Sequence, residues 1–124
     1  MMASVTVTDD MVDIRFTGWE RLWIGHERLA IPIAAVRDVS FVAEPLRLAR
    51  GARRGIALSG FLKIGVWGVF GRPRQLVSAR RGEPGLHLIL DRASAGGEFD
   101  EVVLSDPAGN GITDAIVRAK AARA

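Results

Sequence analysis

Apolar and polar residues alternate with a period of two in short segments along the first two-thirds of the chain. Val12, Ile14 and Phe16 alternate with Asp13 and Arg15. The same alternation recurs at residues 29–33, 38–41 and 86–91. Because successive side chains of a β-strand point to opposite faces of the sheet, this period indicates strands with one buried face. Seven or eight such strands between about residues 11 and 105 predict a mainly β fold, either a sandwich or a small barrel.

Two segments also predict where their strands lie. Pro32 has no backbone donor, so the strand that carries it should lie at a sheet edge or bend there. Residues 64–70 form a continuous apolar run, which is typical of a strand covered on both faces. We therefore expect an edge strand or a bend at the first position and an interior strand at the second.

Near the C-terminus the pattern changes to the helical spacing i, i+3, i+4, i+7 at Ile112, Ala115, Ile116 and Ala119. This predicts one helix with a single apolar stripe over about residues 110–122. Asp106 followed by Pro107 is typical of a helix start, and Asn110 between two glycines is the alternative cap. One helix after a run of antiparallel strands would cover an open barrel end.

The composition is that of an ordinary globular protein. Of 124 residues, 48% are hydrophobic and 25% are charged, so we expect a single domain over residues 1–124 with a substantial core. The chain has no cysteine, which excludes disulfides, thiolate metal ligands and cysteine nucleophiles and permits a reducing cytoplasm. We expect no secretory signal and no transmembrane segment, because the apolar-rich residues 55–71 are interrupted by Lys63 and contain five glycines.

Three segments carry a family resemblance: ARRGEPGLHLIL at 79–90, FDEVVLSDP at 99–107 and IPIAAVRDV at 31–39. Over roughly residues 10–120, the chain resembles a family of uncharacterised bacterial proteins of actinobacteria with a pleckstrin-homology-like (PH-like) domain. The resemblance implies a partly open barrel of about seven antiparallel strands capped by one C-terminal α-helix. It implies little chemistry, because one fold serves many functions.

The chain departs from PH-like proteins at several loops. Residues 53–58 lack the Pro-Gly pair that follows an arginine in the family's middle loop, and Gly-Asn-Gly at 109–111 delays the helix after Asp-Pro. Eukaryotic PH domains that bind phosphoinositides use basic residues in the first loop between strands. Here that loop, residues 17–21, offers Arg21 beside Glu20. The resemblance therefore implies no inositol-phosphate specificity.

Basic residues are concentrated in residues 45–82, which contain nine Lys and Arg and no Asp or Glu. The other residues carry eight Lys and Arg and all 14 Asp and Glu, so a segment of +9 lies within a remainder of −6. This favours an anionic partner, or a positive face docked on a negative one.

The candidate anion- or partner-binding residues are Arg47, Arg50, Arg53, Arg54, Lys63, Arg72 and Arg74. Arginine suits phosphate because its planar fork donates paired hydrogen bonds. The alternatives are a solvated loop that keeps the protein soluble and a loop that pairs with Asp9, Asp10 or Asp13.

The aromatic residues allow two interpretations. Phe61, Trp67 and Phe70 have basic residues on both sides, so an exposed segment would suit a membrane interface. We favour the alternative, a core strand, because aromatic residues in apolar runs are usually buried. Trp19 and Trp23, four residues apart, could line a groove for a proline-rich peptide, but packing against the barrel is the favoured interpretation.

No motif for catalysis or metal binding is present. His26 and His87 are isolated, so they lack the ligand spacing of a zinc site. The sequence contains no Gly-x-Ser-x-Gly, no Gly-x-Gly-x-x-Gly and no phosphate-binding P-loop. We therefore expect no enzyme activity, no catalytic residues, no cofactor and no bound metal.

Together these features predict a non-catalytic PH-like binding or scaffold domain that mediates protein–protein contact or self-association, including a homo-oligomer. The alternative is a peripheral module that binds anionic lipid or polyphosphate through the basic segment. Nucleic acid is a weaker candidate, because the segment has no identifiable exposed stacking aromatics. We expect a cytoplasmic protein, and under the alternative one that is peripheral to the inner face of the membrane.

Overall fold

The computed structural model describes residues 3–123, and over that range it contains nine strands, two α-helices and two short 3-10 helices. The strands are β1 (Ser4–Val7), β2 (Met11–Arg15), β3 (Arg28–Pro32), β4 (Val36–Val42), β5 (Arg53–Leu58), β6 (Leu62–Trp67), β7 (Gln75–Arg80), β8 (Gly85–Leu90) and β9 (Glu101–Ser105). The α-helices are α1 (Trp19–Ile24) and α2 (Gly109–Arg123), and the 3-10 helices are Ile33–Ala35 and Pro45–Leu48.

The strands form two sheets around a shared core. The smaller sheet has the order β1-β2-β3, and the larger has the order β4-β8-β9-β7-β6-β5. The prediction of a mainly β, partly open fold with one C-terminal helix is confirmed. Two details differ: the described chain has nine strands rather than about seven, and β7 and β9 are parallel. The strands predicted from the sequence begin at about residue 11, so they do not include the four-residue strand β1.

The inward positions of the alternating segments form the main core. Val12 and Ile14 of β2 and Leu86 and Leu88 of β8 are fully buried in the same cluster, so both sheets contribute to it. β3 lies at the edge of the smaller sheet and ends at Pro32. At this position the missing backbone N–H of proline interrupts no hydrogen-bond ladder. The predicted edge strand is therefore confirmed.

Strand β6 is covered on both faces, as its apolar run predicts. It lies between β5 and β7. Ile64 and Val66 belong to the main core, whereas Trp67 lies on the other face in a second cluster with Val77 and Val103. The strand ends at Trp67, so the last part of the run, to residue 70, forms the following turn.

The second cluster exists because a connecting segment crosses the outer face of the large sheet. β4 and β5 are consecutive in the chain but lie at opposite edges of this sheet. Residues 43–52, called the strap below, join them across the four intervening strands. Five strand spacings of about 4.8 Å make roughly 24 Å, which ten residues can span. Leu46, Leu48 and Ala49 of the strap pack against Trp67, Val77, Ala79 and Val103.

Helix α1 stands where the sequence predicted the first loop between strands. It begins after Gly18 and ends at Gly25, whose left-handed φ of 82° lets its amide bond the carbonyl of Arg21 at 2.9 Å. Glu20 and Ile24, four residues apart, are its buried residues. The helix packs mainly on β6, and also on β5 and β7.

Helix α2 confirms the predicted C-terminal helix within one residue at each end. Ile116 and Ala119 are buried, and the helix packs against β4 and β8. Asp106 accepts a hydrogen bond from the amide of Ala108 at 2.8 Å, which caps the preceding turn, whereas Asn110 lies inside the helix. No helix within residues 3–123 is both long and apolar enough to cross a membrane.

Candidate functional site: a basic pocket at one end of the large sheet

A depression of about 440 Å³ opens at the end of the large sheet where β5 turns into β6 and β7 turns into β8. It combines residues from the strap, the β5–β6 turn, β6 and the β7–β8 turn. Its described lining residues are Glu44, Leu46, Arg47, Gly60, Lys63, Arg80, Arg81 and Gly82. Four of these are basic and one, Glu44, is acidic. We call this feature the basic pocket.

Lys63 and Arg47 reach the basic pocket from β6 and from the strap. The Lys63 ammonium donates a hydrogen bond to the carbonyl of Leu46 at 3.0 Å, which leaves two of its three donors for a ligand. Arg47 forms an ion pair with Glu44 at 2.8 Å, and both side chains are exposed. Such a pair is weak in water, so the Arg47 guanidinium can exchange this partner for an anion.

Arg81 is held beside the β5–β6 turn by both its backbone and its side chain. Its amide donates to the carbonyl of Phe61 at 2.8 Å, which joins the β7–β8 turn to the β5–β6 turn. Its guanidinium lies 5.3 Å from the centre of the Phe61 ring, within the range of a cation–π contact. This stacking fixes an exposed arginine without an acid and leaves its N–H groups available to a ligand.

Arg80 also lines the basic pocket, but its charge acts on a buried carboxyl. Glu20 of α1 is fully buried and accepts a hydrogen bond from the Ser78 hydroxyl of β7. Burial raises the pKa of Glu20, although this hydrogen bond and the charge of Arg80 oppose the rise. We therefore assign the phosphate-facing charge of the pocket to Arg47, Lys63 and Arg81.

The seven basic candidates do not converge on one surface. Arg47 and Lys63 line the basic pocket, whereas Arg53 and Arg54 lie at the start of the edge strand β5. Arg81, which belongs to the same basic segment but was not among the seven, joins the pocket through the β7–β8 turn. Proximity along the chain therefore did not indicate which of these side chains meet.

The other three candidates are bound to acidic residues near the opposite end of the sheet. Arg72 and the amide of Arg74 donate hydrogen bonds to the carboxylate of Asp100. Burial acts to raise the pKa of Asp100, but hydrogen bonds from Arg92, the Arg74 amide and Arg72 lower it to about 2. Arg50 is bonded to Glu101 at 3.2 Å. These contacts bind the guanidinium groups of Arg50 and Arg72 within the fold, whereas Arg74 is held through its backbone amide and its buried Nε has no hydrogen-bond partner among residues 3–123.

The acids near the N-terminus have other partners than the arginine-rich segment. Asp13 pairs with Arg28 at 2.6 Å, and Asp10 pairs with Arg123 at 3.0 Å. The segment that the sequence suggested to be a solvated loop is instead the strap, which is packed and hydrogen-bonded on the sheet. The interpretation that it pairs with Asp10 or Asp13 is therefore wrong.

The aromatic residues divide between core and surface. Trp67 is buried, but Phe61 is 61% exposed and Phe70 is 92% exposed. The two phenylalanines lie just beyond opposite ends of β6. Trp19 of α1 is 58% exposed, whereas Trp23 is half-buried. The prediction that these aromatic residues are buried is therefore correct for Trp67 and wrong for Phe61, Phe70 and Trp19.

Both histidines are engaged with a glutamate. His26 lies 2.7 Å from Glu98, and His87 lies 2.7 Å from Glu101. Among residues 3–123, no group of three or more His, Asp or Glu side chains is arranged to hold a metal ion.

Comparison of the chain with family models, with curated proteins and with solved structures finds no match in any of the three. The resemblance to the actinobacterial PH-like family therefore stays a prediction from the sequence.

Proposed function

We propose that the protein is a non-catalytic binding module that takes a phosphate-bearing anion in the basic pocket. The observation that carries this proposal is the convergence of Arg47, Lys63 and Arg81 on one depression. These residues come from three segments of the chain, and the one acid among the described lining residues, Glu44, is already paired with Arg47. The pocket therefore carries excess positive charge, which attracts an anion.

The chemistry of these three side chains suits phosphate. An arginine can donate two parallel hydrogen bonds to adjacent phosphate oxygens, and a lysine supplies a compact charge. The volume of about 440 Å³ is within the range of small-ligand pockets. Binding rather than catalysis is proposed because arginine stays protonated in proteins and so cannot transfer a proton at neutral pH.

Titration calorimetry with inorganic triphosphate tests this proposal. We expect Arg47→Ala/Arg81→Ala to weaken binding roughly thirtyfold, because each arginine contributes on the order of 1 kcal/mol at an exposed site. The matched control is Arg53→Ala/Arg54→Ala, which removes the same charge from the same basic segment but outside the basic pocket. The control should bind nearly as well as the wild type.

Salt dependence separates specific contacts from general attraction. Binding should weaken as the salt concentration rises in the wild type, and the dependence should be smaller in the pocket variant, which makes fewer ionic contacts. Equal losses in the two double variants would show that net charge alone attracts the anion. That result, or the absence of triphosphate binding at low salt, would reject the pocket as a site.

Protein–protein contact or self-association is the second candidate function. It is favoured by the edge strands β4 and β5 of the large sheet, because an unpaired edge can accept a further strand from a partner. Sedimentation-velocity runs over a range of protein concentrations test self-association. A monomer at every concentration would remove the homo-oligomer from consideration.

A further inference from the structure

Large apolar side chains are exposed on α1 and at the β5–β6 turn, which contributes Gly60 to the basic pocket. Trp19 and Leu22 of α1 are 58% and 71% exposed, and Leu58 and Phe61 at the β5–β6 turn are 51% and 61% exposed. Trp19 and Leu22 are three residues apart and so share one face of the helix. Leu58 and Phe61, two exposed residues of this size at one turn, form an apolar surface that favours a partner.

Helix α1 lies on the face of the large sheet opposite the strap. Its Glu20 accepts a hydrogen bond from Ser78, which pairs with Ile64, and the Ile64 side chain belongs to the main core. Lys63 instead pairs with Ala79, whose side chain lies in the second cluster beneath the strap. The sheet therefore separates Trp19 and Leu22 from the basic pocket, and the exposed apolar residues beside the pocket are Leu58 and Phe61.

Cations border this apolar surface. Arg81 stacks on Phe61 itself, and Lys63 lies on β6 one residue beyond Leu62, which opens the strand after the turn. Apolar and aromatic side chains next to arginine and lysine match the interface of an anionic bilayer, where acyl chains and phosphate groups meet. Charge complementarity thus favours an anionic lipid surface over an apolar protein groove.

We infer that the β5–β6 turn docks on the surface of an anionic phospholipid bilayer. Phe61 and Leu58 enter the interface, and Arg81 and Lys63 contact lipid phosphates from the basic pocket. This inference rests on the proposed function, because it assigns the phosphate to a lipid headgroup. It adds a requirement that a soluble phosphate does not have, namely the apolar turn.

Vesicle co-sedimentation of the full chain tests the inference, with phosphatidylcholine vesicles that contain or lack phosphatidylserine. Phe61→Ala should weaken binding to the anionic vesicles about five- to tenfold, because it removes apolar area from the interface. The matched control is Phe70→Ala, which removes a more exposed phenylalanine at the opposite end of β6 and should bind like the wild type. The Phe61 hydrogen bonds to Leu58 and Arg81 use backbone atoms, so the variant keeps the turn.

Triphosphate titration separates the two proposals. We expect Leu58→Ala, which leaves the Phe61–Arg81 contact in place, to retain triphosphate binding while it weakens vesicle binding, and Arg47→Ala/Arg81→Ala to lose both. If triphosphate binds but Phe61→Ala and Phe70→Ala sediment equally with anionic vesicles, the inference is overturned and phosphate binding stands. If neither triphosphate nor anionic vesicles bind the wild type, both proposals fail.

A second readout reports insertion directly. Vesicles with brominated acyl chains should quench a tryptophan placed at the turn by Phe61→Trp more strongly than one placed beyond the opposite end of β6 by Phe70→Trp. Equal quenching of the two variants would contradict docking through the β5–β6 turn.

Discussion

Gln75 donates a hydrogen bond of 2.8 Å to the backbone carbonyl of Leu48, so a fully buried side chain of β7 holds the strap on the outer face of the sheet. The Gln75 carbonyl oxygen also accepts from the amide of Arg50 at 2.9 Å, and its amide group donates to Glu101 at 3.1 Å. One amide side chain thus satisfies polar groups of two strap residues and one neighbouring strand.

Replacing Gln75 with leucine should lower the free energy of unfolding by about 3 kcal/mol. The change leaves the Leu48 carbonyl and the Arg50 amide without partners in a partly buried position, and each loss costs about 1–3 kcal/mol. Urea unfolding followed by circular dichroism measures the difference. Ser94→Ala, which removes an exposed hydrogen bond to Asp91, is the control and should change stability by less than about 0.5 kcal/mol. Equal effects would contradict the role of Gln75.

Asp100→Asn should destabilise the protein at pH 7 but not in acid. Because the pKa of Asp100 is lowered to about 2, its ionised form stabilises the fold above its unfolded pKa, and this contribution is lost as pH falls from about 4 to 2. We expect a difference of about 2 kcal/mol at pH 7 that shrinks through this window. Urea unfolding of both proteins across this range measures it. A difference independent of pH would show that the ion pairs with Arg72 and Arg92 contribute nothing.

The stability of Glu20→Gln relative to the wild type should depend on pH in the opposite direction to that of Asp100→Asn. Burial raises the pKa of Glu20, so its contribution to stability is greatest below the unfolded pKa and falls as pH rises through the folded one. The variant should therefore gain stability relative to the wild type between about pH 4.5 and neutral pH. Thermal unfolding at several pH values gives the trend. A relative loss for the variant as pH rises would reverse the assignment.

Alanine substitutions at Gly109 and Gly111, in the first turn of α2, should change the stability of the protein in opposite directions. A Cβ on Gly109 would lie 2.9 Å from the carbonyl oxygen of Gly85, in backbone that cannot swing away, whereas a Cβ on Gly111 would meet nothing within 4 Å. Gly111→Ala should stabilise the protein by about 0.5–1 kcal/mol because alanine favours helix. Gly109→Ala should destabilise it, since the helix must shift away from β8. Melting temperatures that move in the same direction would contradict this packing.

The sequence predicted those parts of the fold that depend on local pattern. The alternation of Leu86, Leu88 and Leu90 identified β8 and its buried face, and the spacing of Ile112, Ile116 and Ala119 identified α2. Helix α1 was missed because six residues make fewer than two turns. In addition, its buried face carries Glu20 where the periodic pattern requires an apolar residue.

The candidate site was predicted less well, because strand order is not a local property. Arg50 is 51 residues from its partner Glu101, and Arg72 is 28 residues from Asp100. Nothing near either arginine in the chain indicates these partners. Only the folded sheet separates the arginines that are neutralised from Arg47 and Arg81, which meet at the basic pocket although 34 residues (81 − 47) separate them.

The path of the strap also bears on how quickly the chain can fold. A hairpin such as β5–β6 can form by extension from its turn, but β4 and β5, which the strap joins, become opposite edges only when β6, β7, β8 and β9 lie between them. Pairing β4 with β8 closes a loop that contains β5, β6 and β7, and this closure costs chain entropy before the contacts compensate for it. Sheets dominated by distant pairings fold in milliseconds to seconds, and we expect this protein to fold on that timescale, with docking of the strap as a late step.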